Sequence, residues 1–294
     1  MIIDSLKKGA TMLAMDQEWK SWLDTNLARQ CDVENIYRIM RTNGFNPSTI
    51  QQMMGDVYPA GIETQPIKTN TNFDYQTLSK VMEVRGLALG AQRVDTDALQ
   101  IYTIDNFLSP SECEQVIAIT KQNLSPSLVS HYNGDPAFRT SMTCHLRYNE
   151  DPFIDYIDER IARTLGICLS YSEAIQAQHY EVGKELKAHH DYFTPNTPAY
   201  AEFADEKGQR TWTFMVYLNN TPKGGGTHFV YMDHTFYPKQ GQAVIWNNLY
   251  PDGLPNRQTL HHGMPVEEGE KTIITKWFRD KGQGDVFCEQ MSPS

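Results

Sequence analysis

The sequence lacks the features of a membrane protein and of a disulfide-stabilised protein. No run of apolar residues approaches the roughly 20 that a transmembrane helix needs, and residues 1–15 lack the apolar core of a signal peptide. The five cysteines are odd in number, scattered and never spaced as CxxC, which disfavours a disulfide framework and a structural zinc site. We therefore expect a soluble protein of the cytoplasm with no membrane segment.

A basic surface is also missing. The chain has 26 Lys and Arg residues against 36 Asp and Glu residues, which gives a formal net charge of −10. This balance argues against a nucleic-acid partner, because nucleic acids are normally bound by a basic face. With 294 residues, 40% of them hydrophobic, the chain can bury the core of one large domain or of two unequal ones.

Residues 1–58 predict a small bundle of helices. Apolar residues recur at helical spacing from Trp19 onwards. Asp32 suits the N-cap of a second helix, and Asn46 followed by Pro47 suits the N-cap and first position of a third. Two interpretations stay open: the bundle packs against the rest of the protein, or it is a docking module for a partner or substrate.

A change in composition marks the end of this bundle. Pro, Gly, Thr and Asn are frequent between residues 55 and 72, which indicates a linker. Residues 73–98 show no clear pattern. We therefore divide the chain into a helical bundle (1–58), a linker and poorly defined segment (59–98) and a larger domain (99–294).

The larger domain combines a few helices with many short strands. Ile101–Ile104 predicts a strand, Ser109 opens a helix with a capping box, and a second helix is predicted over 153–165. Beyond residue 170, β-type runs are separated by Gly, Pro and Asn; the clearest are Thr211–Leu218, His228–Met232, Ala243–Trp246 and Thr272–Phe278. Such runs favour a β-sandwich or a double-sheet jelly roll.

Two histidines and one aspartate have the composition of a non-haem iron site. Residues i and i+2 of a strand project from the same face, so His189 and Asp191 can converge. His261 would come from a distant strand. Two imidazoles and one carboxylate hold one face of Fe(II) and leave three positions open for chemistry. His190 and His262 adjoin these ligands and could in principle replace them.

Lys271 adds a positive charge that would suit the same kind of iron-dependent chemistry. Its ammonium group could anchor a dicarboxylate co-substrate by charge attraction, so the residues together predict an oxygenase that uses Fe(II), 2-oxoglutarate and O2. A zinc hydrolase could use the same ligands with a bound water, and a non-catalytic jelly-roll binding protein is a further alternative. Neither alternative needs an anchor for a dicarboxylate.

Over residues 100–285 the sequence resembles the prolyl 4-hydroxylase branch of the Fe(II)/2-oxoglutarate dioxygenases. The blocks that carry this resemblance are Arg139-Thr140-Ser141, Gln178-His179-Tyr180, His189-x-Asp191, Gln209-Arg210-Thr211, Tyr217-Leu218-Asn219, Gly225-Gly226-Thr227-x-Phe229, Trp246-Asn247, Thr259-Leu260-His261, Lys271 and Lys276-Trp277. The resemblance implies a double-stranded β-helix (jelly roll) fold of the α+β class. It also implies hydroxylation of a C–H bond coupled to oxidative decarboxylation of 2-oxoglutarate, with ascorbate as an optional reductant.

The resemblance further implies roles for single residues. The residues that would bind iron are His189, Asp191 and His261. Those that would contact 2-oxoglutarate are Tyr180, Tyr217, Thr227 and Lys271, of which Lys271 would pair with the distal carboxylate. Arg210 and Trp277 match positions that contact substrate in relatives. Arg139 and Arg279 are further candidates for substrate contact, although the resemblance does not imply them. From the residues alone, Tyr217 could instead be a core residue and Arg139 a structural ion-pair partner.

Two departures from the family pattern concern the substrate. Leu186 and Arg279 stand where peptidyl-proline hydroxylases of this type tend to have Tyr and His, at positions associated with peptide binding. The expected substrate is proline in a peptide or protein. If Arg279 points inward beside Arg210, a free amino acid or another small carboxylate becomes the natural alternative.

Overall fold

The computed structural model describes residues 17–59, 61–62, 73–127, 138–195 and 197–288. The helices are 17–28 (α1), Val33–Thr42 (α2), Pro47–Met54 (α3), Tyr75–Ser79 (α4), Val81–Arg85 (α5), Pro110–Lys121 (α6), Pro152–Leu165 (α7) and Pro198–Phe203 (α8). The strands are Gln92–Arg93 (β1), Ile101–Ile104 (β2), Ser125–Pro126 (β3), Met142–Leu146 (β4), Ile175–Tyr180 (β5), Leu186–His189 (β6), Arg210–Tyr217 (β7), Lys223–Gly224 (β8), Thr227–Phe229 (β9), His234–Phe236 (β10), Ala243–Asn247 (β11), His261–Gly263 (β12), Val266–Glu268 (β13) and Lys271–Arg279 (β14). Most of the predicted linker, residues 63–72, lies outside the described residues.

The helix starts follow the capping residues that the sequence predicted. Asp32 caps α2 and Asn46 caps α3, and each side chain accepts hydrogen bonds from backbone N–H groups of the first turn. Ser109 and Glu112 form a complete capping box at α6. Because a helix leaves its first N–H groups unpaired, such a cap is typically worth about 1 kcal/mol. These predicted starts are confirmed.

The strands form two main antiparallel sheets. The larger sheet has the order β1-β2-β11-β7-β14-β5-β4-β3, and the smaller has the order β10-β9-β12-β6. An apolar cluster that includes Tyr180 of β5, Phe229 of β9 and Trp246 of β11 joins their inner faces. The expected α+β jelly roll is therefore confirmed. The predicted runs over 211–218, 243–246 and 272–278 agree with β7, β11 and β14 within one residue at each end.

The main hydrophobic core lies between the larger sheet and helices α6 and α7. Val116 of α6, Ile157 and Ile161 of α7, and Trp212 and Phe214 of β7 have no exposed surface. Burying one such aliphatic side chain contributes roughly 1.5–3 kcal/mol. This core fixes the larger sheet as a rigid support for the residues on its opposite face.

Residues 73–98 contain α4, α5 and β1. Leu78, Val81 and Met82 are buried in the main core, and the indole N–H of Trp212 donates to the Leu78 carbonyl at 3.2 Å. Helices of five residues are too short to show a periodic pattern in the sequence. The domain division stays a prediction, although the apolar residues of this segment pack with those of the larger domain.

Helices α1 to α3 have a hydrophobic cluster of their own. Leu23, Met40 and Ile50 are fully buried within it. The bundle also contacts the larger domain, because Arg41, of which 3% is exposed, forms an ion pair with Asp252. The bundle therefore packs against the larger domain, and its use as a docking module stays a prediction.

The sequence predicted neither a membrane-spanning helix nor a disulfide framework. In the part of the chain that the structure describes, no helix combines the length and the apolar character needed to cross a bilayer. The cysteine pattern disfavoured a disulfide framework, and the structure contains one disulfide that the pattern did not predict, between Cys168 and Cys288. Their separation of 120 residues leaves no local spacing signal in the sequence. The pair forms because the C-terminal segment returns beside α7, where Cys168 N–H donates to the Val286 carbonyl at 2.8 Å.

Candidate active site

The structure brings His189, Asp191 and His261 together on the smaller sheet. His189 ends β6 and His261 begins β12, and the two are register partners on neighbouring strands. Asp191 lies just beyond the end of β6, so the turn after the strand positions it rather than strand alternation. One potential ligand atom of each residue lies within 4.8 Å of the others. Among the described residues this is the one such group that could hold a metal ion.

Backbone carbonyls orient both imidazoles. His189 Nδ1 lies 2.8 Å from the Lys187 carbonyl oxygen, and His261 Nδ1 lies 2.9 Å from that of Thr259. Because a carbonyl only accepts, each Nδ1 carries a hydrogen, and Nε2 is the ring nitrogen left to bind a metal. The Nε2 atoms lie 3.6 and 3.9 Å from Asp191 Oδ1. Burial lowers the pKa of His261 to about 4, so its imidazole is neutral at pH 7, as a metal ligand must be.

A chain of hydrogen bonds fixes the Asp191 carboxylate. Thr213 Oγ1 donates to Asp191 Oδ2 at 2.7 Å and accepts from Asn248 Nδ2 at 2.8 Å. Asn248 Oδ1 in turn accepts from the Trp246 indole N–H at 3.1 Å. Burial alone would raise the pKa of Asp191, but attraction to the imidazole of His261 helps to lower it below its usual value. Oδ2 is therefore occupied by protein and Oδ1 faces the two histidines. No sequence pattern indicated the roles of Thr213 and Asn248.

The neighbouring histidines lie outside this cluster. His190 Nε2 donates to the Arg257 carbonyl at 3.0 Å, and burial lowers the pKa of His190 to about 3. His262 Nε2 lies 2.9 Å from Glu185 Oε2. Both rings are therefore engaged by other partners, and the structure places neither one with Asp191.

Lys271 is a buried cation that faces the same cavity. Only 1% of its surface is exposed, and its Nζ lies 4.3 Å from the centre of the Tyr180 ring. No carboxylate of a described residue forms an ion pair with it, and burial lowers its pKa to about 7. A buried ammonium group without an anionic partner is costly. It therefore fits a site whose ligand brings the missing carboxylate.

Of the other residues expected to contact 2-oxoglutarate, two line the cavity and one lies behind its wall. Tyr180 and Thr227 line the cavity with Lys271, and the Tyr180 hydroxyl donates to Gln178 Oε1 at 2.6 Å. Tyr217 is fully buried behind Thr227, with its hydroxyl 2.7 Å from Thr227 Oγ1. Tyr217 thus supports Thr227 in the structure, and its direct contact with a co-substrate stays a prediction.

The metal cluster opens into a cavity of about 1750 Å³. The residues expected to contact substrate also line it: Arg139, Arg210, Trp277 and Arg279. Small-molecule sites usually occupy about 300–1,000 Å³. The cavity is therefore larger than a co-substrate and a free amino acid require.

Glu173 engages two of the expected substrate residues. Arg210 donates to both of its carboxylate oxygens, at 2.6 and 2.8 Å, and Arg279 Nε lies 2.8 Å from Glu173 Oε1. Arg279 Nη1 donates further to the carbonyls of Phe203 and Gly208. Burial would raise the pKa of Glu173, but the two guanidinium groups outweigh it and lower that pKa. The sequence did not reveal Glu173, which belongs to no motif.

Trp277 and Arg139 both line the cavity. The Arg210 guanidinium stacks 3.8 Å above the centre of the Trp277 ring. The Trp277 indole N–H is buried and has no hydrogen-bond partner among the described residues. Arg139 donates to Ser141 Oγ and to Gln176 Oε1, and no described carboxylate pairs with it.

Comparison with known proteins places this site in a family. Residues 175–279 match the family model of the 2OG-Fe(II) oxygenase superfamily. The chain is 28% identical over 200 residues to probable prolyl 4-hydroxylase 9 of Arabidopsis thaliana, covering 60% of this chain and 68% of that protein. It is 31% identical over 206 residues to prolyl 4-hydroxylase subunit alpha-1 of Rattus norvegicus, covering 67% of this chain and 38% of that protein.

A solved structure agrees with these relatives. The viral collagen prolyl hydroxylase from Paramecium bursaria Chlorella virus 1, in its 2OG complex, superposes with a TM-score of 0.50 at 28% identity. The match covers 61% of this chain and 95% of that protein. These findings favour an oxygenase over the zinc hydrolase and the non-catalytic binding protein. The chain is a prolyl 4-hydroxylase-like dioxygenase of the 2OG-Fe(II) oxygenase superfamily, with Fe(II) and 2-oxoglutarate as its cofactor and co-substrate.

Proposed function

We propose that this chain hydroxylates proline within a peptide or protein, with iron held by His189, Asp191 and His261. The relatives named above are prolyl hydroxylases, which supports the reaction. The observation that carries the choice of a peptide is the cavity of about 1750 Å³ beside the metal cluster. A free amino acid would leave most of that space to water.

The donor atoms fit an Fe(II) ion. Two imidazole Nε2 atoms and one carboxylate oxygen lie close together, and this donor set is typical of non-haem Fe(II) oxygenases. When bound, Fe(II) supplies the redox chemistry that couples decarboxylation of 2-oxoglutarate by O2 to hydroxylation of the substrate. The protein's own contribution is to orient the two imidazoles through backbone carbonyls and to fix the carboxylate through Thr213.

Lys271 is the proposed partner of the distal carboxylate of 2-oxoglutarate. Its charge is buried and unpaired among the described residues, and Thr227 and Tyr180 line the same part of the cavity. A charge-assisted hydrogen bond in such a place is among the stronger kinds. Binding of the dicarboxylate would satisfy a group that the folded protein otherwise leaves unpaired.

The arginines favour a peptide over a free amino acid. Receiving the carboxylate of a free amino acid would require Arg210 or Arg279 to turn away from Glu173, which both already contact. The uncharged Trp277 ring, which lines the same cavity, suits a neutral peptide rather than a free carboxylate. We propose that Arg139 and Trp277 contact the peptide and that Arg210 supports the Trp277 ring from behind.

The decisive experiment measures succinate formed from 2-oxoglutarate by the full chain with Fe(II) under air. Proline-containing peptides should stimulate succinate formation and acquire one oxygen atom, and free proline at equal concentration should not. Stimulation by free proline alone would replace the peptide proposal with the small-substrate alternative. An absence of 2-oxoglutarate turnover with every substrate would contradict the proposed reaction.

Replacing Lys271 with methionine should chiefly weaken 2-oxoglutarate binding. A lost charged hydrogen bond costs about 1.5–3 kcal/mol, which corresponds to a rise in Kd of about 10- to 150-fold. Anaerobic calorimetric titration of 2-oxoglutarate into the metal-loaded protein measures this, with Lys121→Met, at an exposed ion pair, as the matched control. An unchanged Kd would exclude Lys271 as the anchor.

Binding of 2-oxoglutarate should also depend on pH through Lys271. The pKa of this lysine is lowered to about 7 by burial, so above pH 7 the free protein must take up a proton before it can pair with a carboxylate. By linkage, affinity should fall by up to about tenfold per pH unit above 7 and should level off below it. Lys271→Arg, which stays charged at every pH, should remove this dependence. A flat profile in the unmodified protein would contradict the assignment.

Two further expectations remain proposals. A cytoplasmic location drew part of its support from the absence of a disulfide, and the Cys168–Cys288 pair removes that support. Ascorbate is proposed as a reductant on the family resemblance alone. Omitting ascorbate from the succinate assay tests this directly.

A further inference from the structure

A short turn, Arg257–Thr259, lies between the N-terminal bundle and the metal cluster. It forms a 3-10 helix that leads directly into His261 through Leu260. We call it the linking turn. Its backbone and side chains contact both parts of the protein, so its position depends on both.

The bundle side of this contact is close and specific. The Gly44 carbonyl accepts from the Arg257 N–H at 3.0 Å. Gly44 has φ +88°, and a Cβ there would lie 2.7 Å from the Arg257 nitrogen. Only glycine permits this approach. The Arg257 guanidinium, buried with the residue 6% exposed, stacks 4.4 Å from the centre of the Phe45 ring and 5.9 Å from that of Trp19.

The other side of the linking turn contacts the metal cluster. The Arg257 carbonyl accepts from His190 Nε2 at 3.0 Å, and His190 is the residue between two proposed ligands. The Thr259 carbonyl accepts from Nδ1 of His261 at 2.9 Å and thereby sets the orientation of that ring. Just before the turn, the Asn256 N–H donates to the Asn248 carbonyl at 2.9 Å. Asn248 belongs to the hydrogen-bond chain that holds Asp191.

We propose that the N-terminal bundle helps to position the metal ligands. Arg257 is the positioning residue: it packs against the bundle and so holds the linking turn in place beside the three ligands. This inference rests on the proposed metal site. Removing a hydrogen-bond partner of a metal ligand typically lowers metal affinity by about 10- to 100-fold. The linking turn supplies such partners, and the bundle holds the linking turn.

The test uses Co(II) in place of Fe(II), titrated into the full chain without 2-oxoglutarate and followed by its visible absorption. Arg257→Met removes the guanidinium that stacks on Phe45, and Gly44→Ala adds a Cβ that clashes with the Arg257 backbone. Each variant should raise the Co(II) Kd by about 10- to 100-fold. The double variant should be little worse than either single one, because both loosen the same junction between the bundle and the linking turn. Arg257→Lys should retain most of the affinity.

Gly55→Ala is the matched control. Gly55 lies in the same bundle with φ +57°, and a Cβ there would meet no atom within 4 Å. Gly55→Ala therefore imposes backbone strain within the bundle without touching the linking turn, and its Co(II) Kd should not change. An equal loss of affinity in Gly55→Ala would show that bundle stability, rather than the linking turn, matters.

The outcomes separate this inference from the function on which it rests. If the unmodified chain does not bind Co(II), the proposed metal site is wrong. If it binds Co(II) and Arg257→Met lowers the melting temperature while leaving the Kd of the folded protein unchanged, the metal site stands and the positioning role is overturned. If Gly44→Ala does not fold, the comparison of Arg257→Met with Arg257→Lys still decides.

Discussion

Replacing Asp191 with alanine is expected to lower peptide-dependent succinate formation by at least about 100-fold. Even the removal of a residue that only hydrogen-bonds to a metal ligand typically lowers metal affinity by about 10- to 100-fold. The carboxylate is the only anionic group among the three proposed ligands. Without it, two neutral imidazoles would face a divalent cation in a buried site. Both metal affinity and turnover should therefore fall.

Two variants separate the charge of Asp191 from its shape. Asp191→Asn keeps the size of the side chain and can still accept from Thr213, but it removes the charge. It should behave nearly as Asp191→Ala does. Thr213→Val leaves the carboxylate in place and removes its hydrogen bond, so it should weaken metal binding by about 10- to 100-fold.

The measurements are succinate formation at saturating Fe(II) and the Co(II) Kd. Circular dichroism provides the check on folding. If folded Asp191→Ala retained full peptide-dependent turnover, the proposed ligand set would be wrong, and a neighbouring group would have to supply the third donor. Equal losses in Asp191→Asn and Thr213→Val would instead indicate that geometry matters more than charge.

Much of this site could be predicted because its chemistry depends on residue type. Spacing and family blocks selected His189 and His261 over their histidine neighbours, and the structure brings those two together with Asp191. The reason inferred for Asp191 was incomplete, since the residue lies beyond the end of β6 rather than in it. The sequence could indicate that the residues converge but not which backbone geometry achieves it.

The residues that support the site could not be predicted from the sequence. Glu173, Thr213 and Asn248 lie in or next to strands and contact residues that are distant in the sequence, at separations that no local pattern encodes. Their residue types are common in loops and sheets. Only the folded arrangement of the strands and the segments next to them brings each one to its partner.

In the fold as well, local features could be predicted from the sequence and features that depend on tertiary packing could not. The caps of α2, α3 and α6 and the long strands β7 and β14 were predictable, because caps and long apolar runs are local signals. The short helices α4 and α5 and the Cys168–Cys288 pair were not, because tertiary packing alone defines them.

Lys276 forms a buried ion pair that connects strand β14 to helix α7. Its Nζ lies 2.5 Å from Asp158 Oδ1 and donates to the Glu173 carbonyl at 2.8 Å. Lys276 is 1% exposed and Asp158 is 2% exposed. Burial raises the pKa of Asp158 and lowers that of Lys276, so desolvation outweighs their attraction. The pair depends on both partners being present.

Lys276→Met is therefore expected to lower the free energy of unfolding by about 3–5 kcal/mol, because it leaves a buried carboxylate without a partner. Urea denaturation followed by circular dichroism measures this loss. The double variant Lys276→Met/Asp158→Leu should recover most of the stability, since replacing a whole buried pair with apolar side chains is often neutral.

The single variant should also respond to pH in a defined direction. The pKa of Asp158 is raised in the folded protein, and loss of Lys276 raises it further. Protonation then removes the buried charge, so the stability deficit of Lys276→Met should be fully present at pH 8 and should shrink as the pH falls through that raised pKa. A deficit that is independent of pH, and that persists in the double variant, would mean that Lys276 stabilises the fold through its contact with the Glu173 carbonyl rather than through Asp158.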